Sequence, residues 1–248
     1  MLTRTAAPGP WTLHVETAAA DADAAVLAQL PVPATVPGTV HTDLLAAGLI
    51  EDPYLDRNEL LTPWIGRSGW RYQATLPATT PAERTDLVLD GLDTLATVLV
   101  DGVERLRTRN MFRSYRVPLG SADAADVAVV FDSPWGPFDA LDDDARRAFD
   151  SPSAHIRKMA CNFGWDWGPT LVTAGIWRPV RIESWSVARL AETRVEVRAE
   201  QSAAGWRGLV EVGVELERTT TARDAELVVD VGGVTRSVVV PAAETSAR

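Results

Sequence analysis

Cysteine is all but missing from this 248-residue chain: Cys161 stands alone, so neither an internal disulfide nor a cysteine-based metal cluster can form. Lysine is equally rare, with Lys158 the only one. Basic residues fall short of acidic ones, 24 against 34, for a formal net charge of −10. That balance supplies no basic stripe for phosphate backbones or anionic lipids, so neither a nucleic-acid nor a membrane partner is expected. The three histidines, His14, His41 and His155, lack metal-ligand spacing, and no phosphate-binding glycine loop or nucleophile elbow is present. No cofactor is expected. No apolar run approaches the roughly 20 residues of a membrane helix. The opening Met1-Leu2-Thr3-Arg4-Thr5-Ala6 also lacks the basic-then-apolar order of a secretory signal, which points to a cytoplasmic protein.

Helical periodicity is scarce as well, and strand signals fill the space. The hydrophobic content of 46% suits a globular core. Trp70, Tyr72, Ala74 and Leu76 alternate with Arg71, Gln73 and Thr75, the period-two pattern of a half-buried strand. Leu87–Leu89, Leu95–Val100 and Val127–Phe131 are short apolar β runs, and Tyr115, Val117 and Leu119 alternate again. Asp101-Gly102 favours a two-residue hairpin turn. Only two stretches read as helix. One follows Thr39 as N-cap, buries Val40, Leu44 and Leu45 on one face and stops at Gly48. The other runs from Phe138 to Phe149, with Asp142-Asp143-Asp144 ahead of Arg146-Arg147 in the sense the helix dipole favours. The consequence is an all-β, jelly-roll-like sandwich.

The most distinctive chemistry lies in Cys161-Asn162-Phe163-Gly164-Trp165-Asp166-Trp167-Gly168-Pro169. An indole offers a flat apolar face and one N–H, while a carboxylate accepts several hydrogen bonds; together they suit the face and hydroxyls of a sugar ring. Taken alone, the same residues also fit a structural role, with tryptophan in a core and aspartate between glycines in a turn. Upstream runs His155-Ile156-Arg157-Lys158, and downstream Gly175-Ile176-Trp177-Arg178-Pro179-Val180-Arg181-Ile182-Glu183. This order resembles the end of the sugar-binding domain of β-mannosidases in glycoside hydrolase family 2. Three more blocks agree: Val36-Pro37-Gly38-Thr39-Val40-His41 leading to Gly48-Leu49-Ile50-Glu51-Asp52-Pro53-Tyr54, then Gly91-Leu92-Asp93-Thr94, then Asn110-Met111-Phe112-Arg113. The resemblance covers roughly positions 10 to 187 in the family's order.

The resemblance implies a galactose-binding-like jelly roll over residues 1–186, then an immunoglobulin-like sandwich, then a catalytic (β/α)₈ barrel. Residues 187–248 offer about four strand candidates, Arg194–Arg198, Leu209–Leu216, Leu227–Val231 and Val234–Val240 with Gly232-Gly233 as a turn. About seven make such a sandwich, so this second domain reads as incomplete. No length remains for a barrel of about 250 residues. A retaining glycosidase needs two carboxyl groups about 5–5.5 Å apart, and the family carries both on the barrel. The Asn58-Glu59 pair matches the opening segment of the sugar-binding domain, so it is rejected as a catalytic acid. The expected partners are therefore β-mannosides or manno-oligosaccharides and the catalytic barrel of the same enzyme. By resemblance, Asp166 accepts hydrogen bonds from sugar hydroxyls, and Trp165 and Trp167 stack on the ring or shape its pocket. Arg157 and Lys158 support the site by pairing with Asp166 or by facing ligand. Trp64, Trp70, Trp177 and Trp185 are expected in the core, Cys161 as a small buried hydrophobe and His41 as a packing or capping residue. A free-standing carbohydrate-binding module and a structural domain without ligand are the competing readings.

Overall fold

The computed structural model describes residues 2–6, 9–120, 123–148, 151–203 and 205–247. In chain order the first ten strands are β1 (Thr3–Ala6), β2 (Trp11–Thr17), β3 (Val32–Ala34), β4 (Gly69–Leu76), β5 (Arg84–Leu89), β6 (Leu95–Val100), β7 (Val103–Arg109), β8 (Tyr115–Pro118), β9 (Ala125–Asp132) and β10 (Val180–Trp185). Five more follow: β11 (Ala188–Ser202), β12 (Gly205–Arg218), β13 (Ala225–Val231), β14 (Val234–Val240) and β15 (Ser246–Ala247). Helices are short: α1 (Ala24–Leu27), α2 (Val40–Ala46), α3 (Pro63–Arg67), α4 (Trp135–Asp139) and α5 (Asp143–Ala148). The fold is all-β. None of the helices is long and apolar enough to cross a membrane.

The chain divides into two compact units. The larger comprises Arg4–Thr79 and Asp86–Ile182, and the smaller is formed chiefly by Thr80–Thr85 and the residues from Glu183 onward. In the larger unit a six-stranded antiparallel sheet runs in the order β3-β2-β4-β9-β6-β7, and the same unit holds most of the residues of a second sheet, β1-β10-β5-β8. Leu13, Tyr72, Val98, Val129 and Phe131 from the first sheet meet Leu87, Leu89, Val117 and Ile182 from the second in one apolar cluster. That shared core makes the pair a sandwich. The alternation read in β4 is realised: Trp70, Tyr72, Ala74 and Leu76 are buried while Gln73 and Thr75 face solvent. At the β6–β7 hairpin both turn residues have positive φ, 51° at Asp101 and 76° at Gly102, as a type I′ turn requires.

The smaller unit holds the sheet β11-β12-β15 and the hairpin β13-β14. Gly232 and Gly233 turn that hairpin with φ of 58° and 85°. Its buried anchors include Trp185, which lies beneath the guanidinium groups of Arg84 and Arg189, each 5.7 Å from the ring.

Four expectations need correcting. The Phe138–Phe149 helix is two helices: α4 ends at Asp139 with Ala140 as its C-cap, and Asp142 caps the start of α5 by accepting from Ala145 N–H at 2.8 Å; Phe149 lies outside the described residues. Leu45 is exposed on α2, whose buried face carries Val40, His41, Asp43 and Leu44. Cys161 is only half-buried. Trp177 is half-buried too, whereas Trp64, Trp70 and Trp185 are core as expected.

Candidate functional site: an aromatic turn on a tethered loop

The segment between Lys158 and Thr173 leaves the sandwich and returns to it. It begins with a 3₁₀ turn, Ala160–Phe163, and then reverses at Gly164, whose φ of 101° suits glycine. A side chain there would also strike Thr170 Oγ1, 2.6 Å from the added Cβ. Trp165 and Gly168 then pair as an isolated antiparallel bridge, with Gly168 N–H donating to Trp165 C=O at 3.3 Å. Asp166 and Trp167 therefore occupy the corner of a tight turn. Trp165 is 57% and Trp167 74% exposed, and their ring centroids lie 6.4 Å apart at 48°. Asp166 is exposed between them. The sequence-predicted trio is thus brought together at a projecting tip with two indole faces and a carboxylate open to solvent.

Of the two supporting residues, Lys158 has a partner other than the one expected. Lys158 does not reach Asp166. Its ammonium donates to Asp93 Oδ1 at 2.5 Å, Asp93 Oδ2 at 2.6 Å and Thr173 C=O at 2.8 Å. Both Lys158 and Asp93 side chains are 1% exposed. Burial pulls the lysine below its ordinary pKa, and the Asp93 charge pulls the other way. Three acceptors within 2.8 Å are what an ammonium needs in such a place. Thr173 Oγ1 also donates to Asp93 Oδ2 at 2.7 Å. Arg157 contributes main chain: its carbonyl accepts from Met111 N–H at 3.0 Å beside the parallel bridge to Asn110, while its side chain is exposed.

The remaining motif blocks converge on the same stem. Asp93 and Gly175 exchange both backbone hydrogen bonds, at 2.9 and 3.1 Å. Gly38 N–H donates to Ile176 C=O and Val40 N–H to Ala174 C=O, each at 2.9 Å. Trp177 Nε1 donates to Met111 C=O at 2.9 Å and its ring meets Phe112 edge-on. Met159 N–H points at Met111 Sδ, 3.1 Å away. Beyond the stem, Phe163 packs edge-on against Trp135, which in turn lies under the guanidinium of Arg67, 4.5 Å from the ring.

Sequence reasoning missed three participants. Asp93 shows in the sequence only as part of a strand block, Thr173 gives no signal, and Glu59 reads only as a rejected catalytic acid. Glu59 instead accepts from Thr170 N–H at 2.9 Å, on the returning limb of the loop. Its neighbour Asn58 donates to Asp52 C=O at 3.0 Å. The signal for Asp93 was the single lysine of the chain, which needs a carboxylate if buried. His41 is buried on α2 with neither ring nitrogen bonded among the described residues, and burial near Lys158 lowers its pKa to about 4. It packs rather than caps, since Thr39 and Thr42 form the capping box.

Comparison with known proteins agrees with the motif order. Residues 11–178 match the family described as the glycosyl hydrolase 2 galactose-binding domain-like domain. The chain is 36% identical over 193 residues to a beta-mannosidase B of Thermothelomyces thermophilus, covering 70% of this chain and 21% of that protein. It is 38% identical over 191 residues to a beta-mannosidase B of Aspergillus niger, covering 68% and 21%. The chain thus spans about a fifth of the length of these relatives. Among solved structures, a β-D-mannosidase from Dictyoglomus thermophilum superposes with a TM-score of 0.78 at 22% identity, over 100% of this chain and 30% of that one. An exo-chitosanase from Amycolatopsis orientalis superposes with a TM-score of 0.64 at 18% identity, over 99% and 28%. At such identities the superpositions establish the shared fold, while the matched domain and the curated relatives establish descent: this chain belongs to the galactose-binding-like domain family of glycoside hydrolase family 2.

Proposed function

We propose that this chain is the N-terminal part of a retaining exo-β-mannosidase, and that the Trp165-Asp166-Trp167 tip borders the subsite for the terminal β-D-mannose. The observation that carries this reading is the tip itself, with two exposed indoles flanking an exposed carboxylate. The names of the curated relatives supply the sugar. In this reading Asp166 accepts hydrogen bonds from ring hydroxyls away from the scissile bond, and the indoles hold the ring's apolar face. Binding on remote hydroxyls accelerates the reaction only by positioning the ring, so specificity and rate change together. The bond-breaking carboxylates belong to the roughly four-fifths of the relatives that the chain does not span. The jelly roll ends near Ser186 and an incomplete immunoglobulin-like sandwich follows. The cytoplasm is the proposed compartment.

The test is Asp166→Ala in the complete enzyme. Loss of a hydrogen bond to a charged group, about 1.5–3 kcal/mol, predicts a fall in kcat/KM on the order of 10- to 200-fold. Mannosides lacking the partner hydroxyl are hurt much less, which a deoxy-mannoside series measures. Full activity of a folded variant reduces Asp166 to a turn residue. A second assay concerns the 248-residue chain alone, expected to leave an aryl β-D-mannoside intact. Turnover that disappears in Glu59→Gln would refute the division of labour. The two open indoles also favour a second reading, a binding module without catalysis. Mannoside affinity in a protein whose complete reading frame lacks a barrel would establish it.

A further inference from the structure

Besides the packing of Phe163 on Trp135 and the approach of Met159 N–H to Met111 Sδ, two charged clasps hold the loop that carries the tip, and neither uses the tip's own residues. At its neck, Lys158 leads into the loop and Thr173 leads out of it. The Lys158 ammonium bonds Thr173 C=O at 2.8 Å and both oxygens of Asp93 at 2.5 and 2.6 Å, and Thr173 Oγ1 bonds Asp93 Oδ2 at 2.7 Å. Asp93 is fixed in turn by its paired backbone bonds to Gly175. Nearer the tip, Glu59 accepts from Thr170 N–H at 2.9 Å, and Asn162 Nδ2 donates to Leu171 C=O at 3.1 Å across the two limbs. We infer that Asp93, Lys158 and Thr173 form a buried latch closing the neck of the loop, that Glu59 is its outer tether, and that all four are positioning residues for the Trp165-Asp166-Trp167 tip.

The physical need for both is plain. The tip residues are exposed and make no bond to the sandwich among the described residues, so their orientation rests on the limbs below them. A closed neck, with Phe163 packed on Trp135, holds the outgoing limb and leaves the returning limb without a hold of its own. A tether on the returning limb, three residues after Trp167, supplies one. A charged acceptor on a backbone N–H and a buried ammonium with three acceptors are both of the stronger, charge-assisted kind. The consequence for a ligand is a preordered platform, which lowers the ordering cost of binding. The role assigned to the latch rests on the reading of the tip as a sugar site, and the experiment separates the two.

Four variants of this chain decide it: Lys158→Met/Asp93→Leu, which removes the latch without orphaning a charge; the milder Thr173→Val; Glu59→Ala; and Glu59→Gln, which keeps an acceptor. Amide hydrogen exchange is followed over residues 159–172 and over β4, β6 and β9, with a tryptophan-fluorescence titration by methyl β-D-mannoside alongside. The latch and tether variants are expected to exchange about tenfold faster or more in the loop, with strand protection unchanged, because local opening sets these rates. Glu59→Gln restores the slow exchange. If the double variant does not fold, Thr173→Val and the Glu59 pair carry the decision. Unchanged loop exchange in the folded latch and tether variants overturns the inference whatever the sugar does. Faster exchange confirms loop control. With it, mannoside affinity that falls in Glu59→Ala and returns in Glu59→Gln confirms positioning for a sugar. Accelerated loop exchange together with an unchanged kcat/KM on an aryl β-D-mannoside, when Glu59→Ala is made in the complete enzyme, leaves the latch standing and counts against the mannoside reading.

Discussion

An ammonium at 1% exposure is tolerable only because every strong demand it makes is answered, and the Lys158–Asp93 pair shows how asymmetric that bargain is. Removing one partner leaves the other charge buried and alone, which costs about 3–5 kcal/mol, whereas replacing both with apolar residues of similar size is often neutral. Lys158→Met alone is therefore expected to lose about 3–5 kcal/mol in urea unfolding, and Lys158→Met/Asp93→Leu to recover most of it. Equal losses in the two would mean that packing, not charge, governs the position. His41 faces the same pair from α2, with Lys158 and Asp93 as its charged neighbours. Its folded pKa of about 4 lies below the unfolded value of 6.5. Between those values the unfolded chain takes up a proton that the folded chain refuses, so stability is full above about 6.5 and declines as pH falls toward 4. The integrated loss is ~3 kcal/mol. Asp43, two positions along, opposes this: burial raises its carboxyl pKa, so its folded form binds a proton more readily and gains on acidification. Comparing wild type with His41→Leu cancels Asp43, and the variant's unfolding free energy should be flatter between pH 4 and 6.5. Parallel slopes would show that the imidazole finds a partner in solution.

Elements were legible where a local rule decided them. Thr39 capped α2 as its hydroxyl chemistry demands, Asp101-Gly102 turned β6 into β7, and the alternation of β4 gave the buried face residue by residue. The site was legible in part, because the Trp165-Asp166-Trp167 tip is contiguous in sequence. Its supports were not: Lys158 and Asp93 lie 65 positions apart and Glu59 and Thr170 lie 111 apart, and no spacing rule reaches across such distances. Sequence proximity instead suggested Asp166 as the partner of Lys158. A glycine shows the same divide between local and long-range causes. At Gly48, φ is +68° with nothing within 4 Å of an added Cβ, so Gly48→Ala should cost only about 1 kcal/mol for the left-handed backbone. At Gly175, φ is +151° and the Cβ would meet Gly38 C=O oxygen at 2.6 Å and Thr39 Cα at 2.8 Å, both main chain. Gly175→Ala is expected to cost about 2–4 kcal/mol, strain and overpacking together. Thermal unfolding of the two variants ranks them, and an equal shift would reduce Gly175 to a backbone-conformation requirement.

For the molecule as a whole, the two compact units differ in how much apolar surface they enclose. The continuous core, from Trp11 to Ile182, lies in the larger unit and joins both of its sheets. From β11 onward the buried apolar residues among the described ones are Val214 and Val240, while Val195, Val197, Trp206, Val228 and Val239 stand exposed. Paired strands without a covered face have little to hold them together beyond their ladders, and local opening costs least where few apolar contacts must break. The sequence offered about four strand candidates after Val187, and β11 and β12 run longer than those candidates, with β11 mostly exposed and β12 exposed to half-buried apart from Val214. Limited trypsin digestion of the chain under native conditions is therefore expected to cut first between Ala188 and Ala247, where Arg194, Arg198 and Arg207 are exposed. A fragment ending at Arg189 or Arg194 should accumulate and keep the slow hydrogen exchange of β4, β6 and β9. First cleavage within residues 11–132 would place the weak point in the sandwich. Equal protection of both units in a monomer would show that the strands from Ala188 onward form a self-sufficient domain.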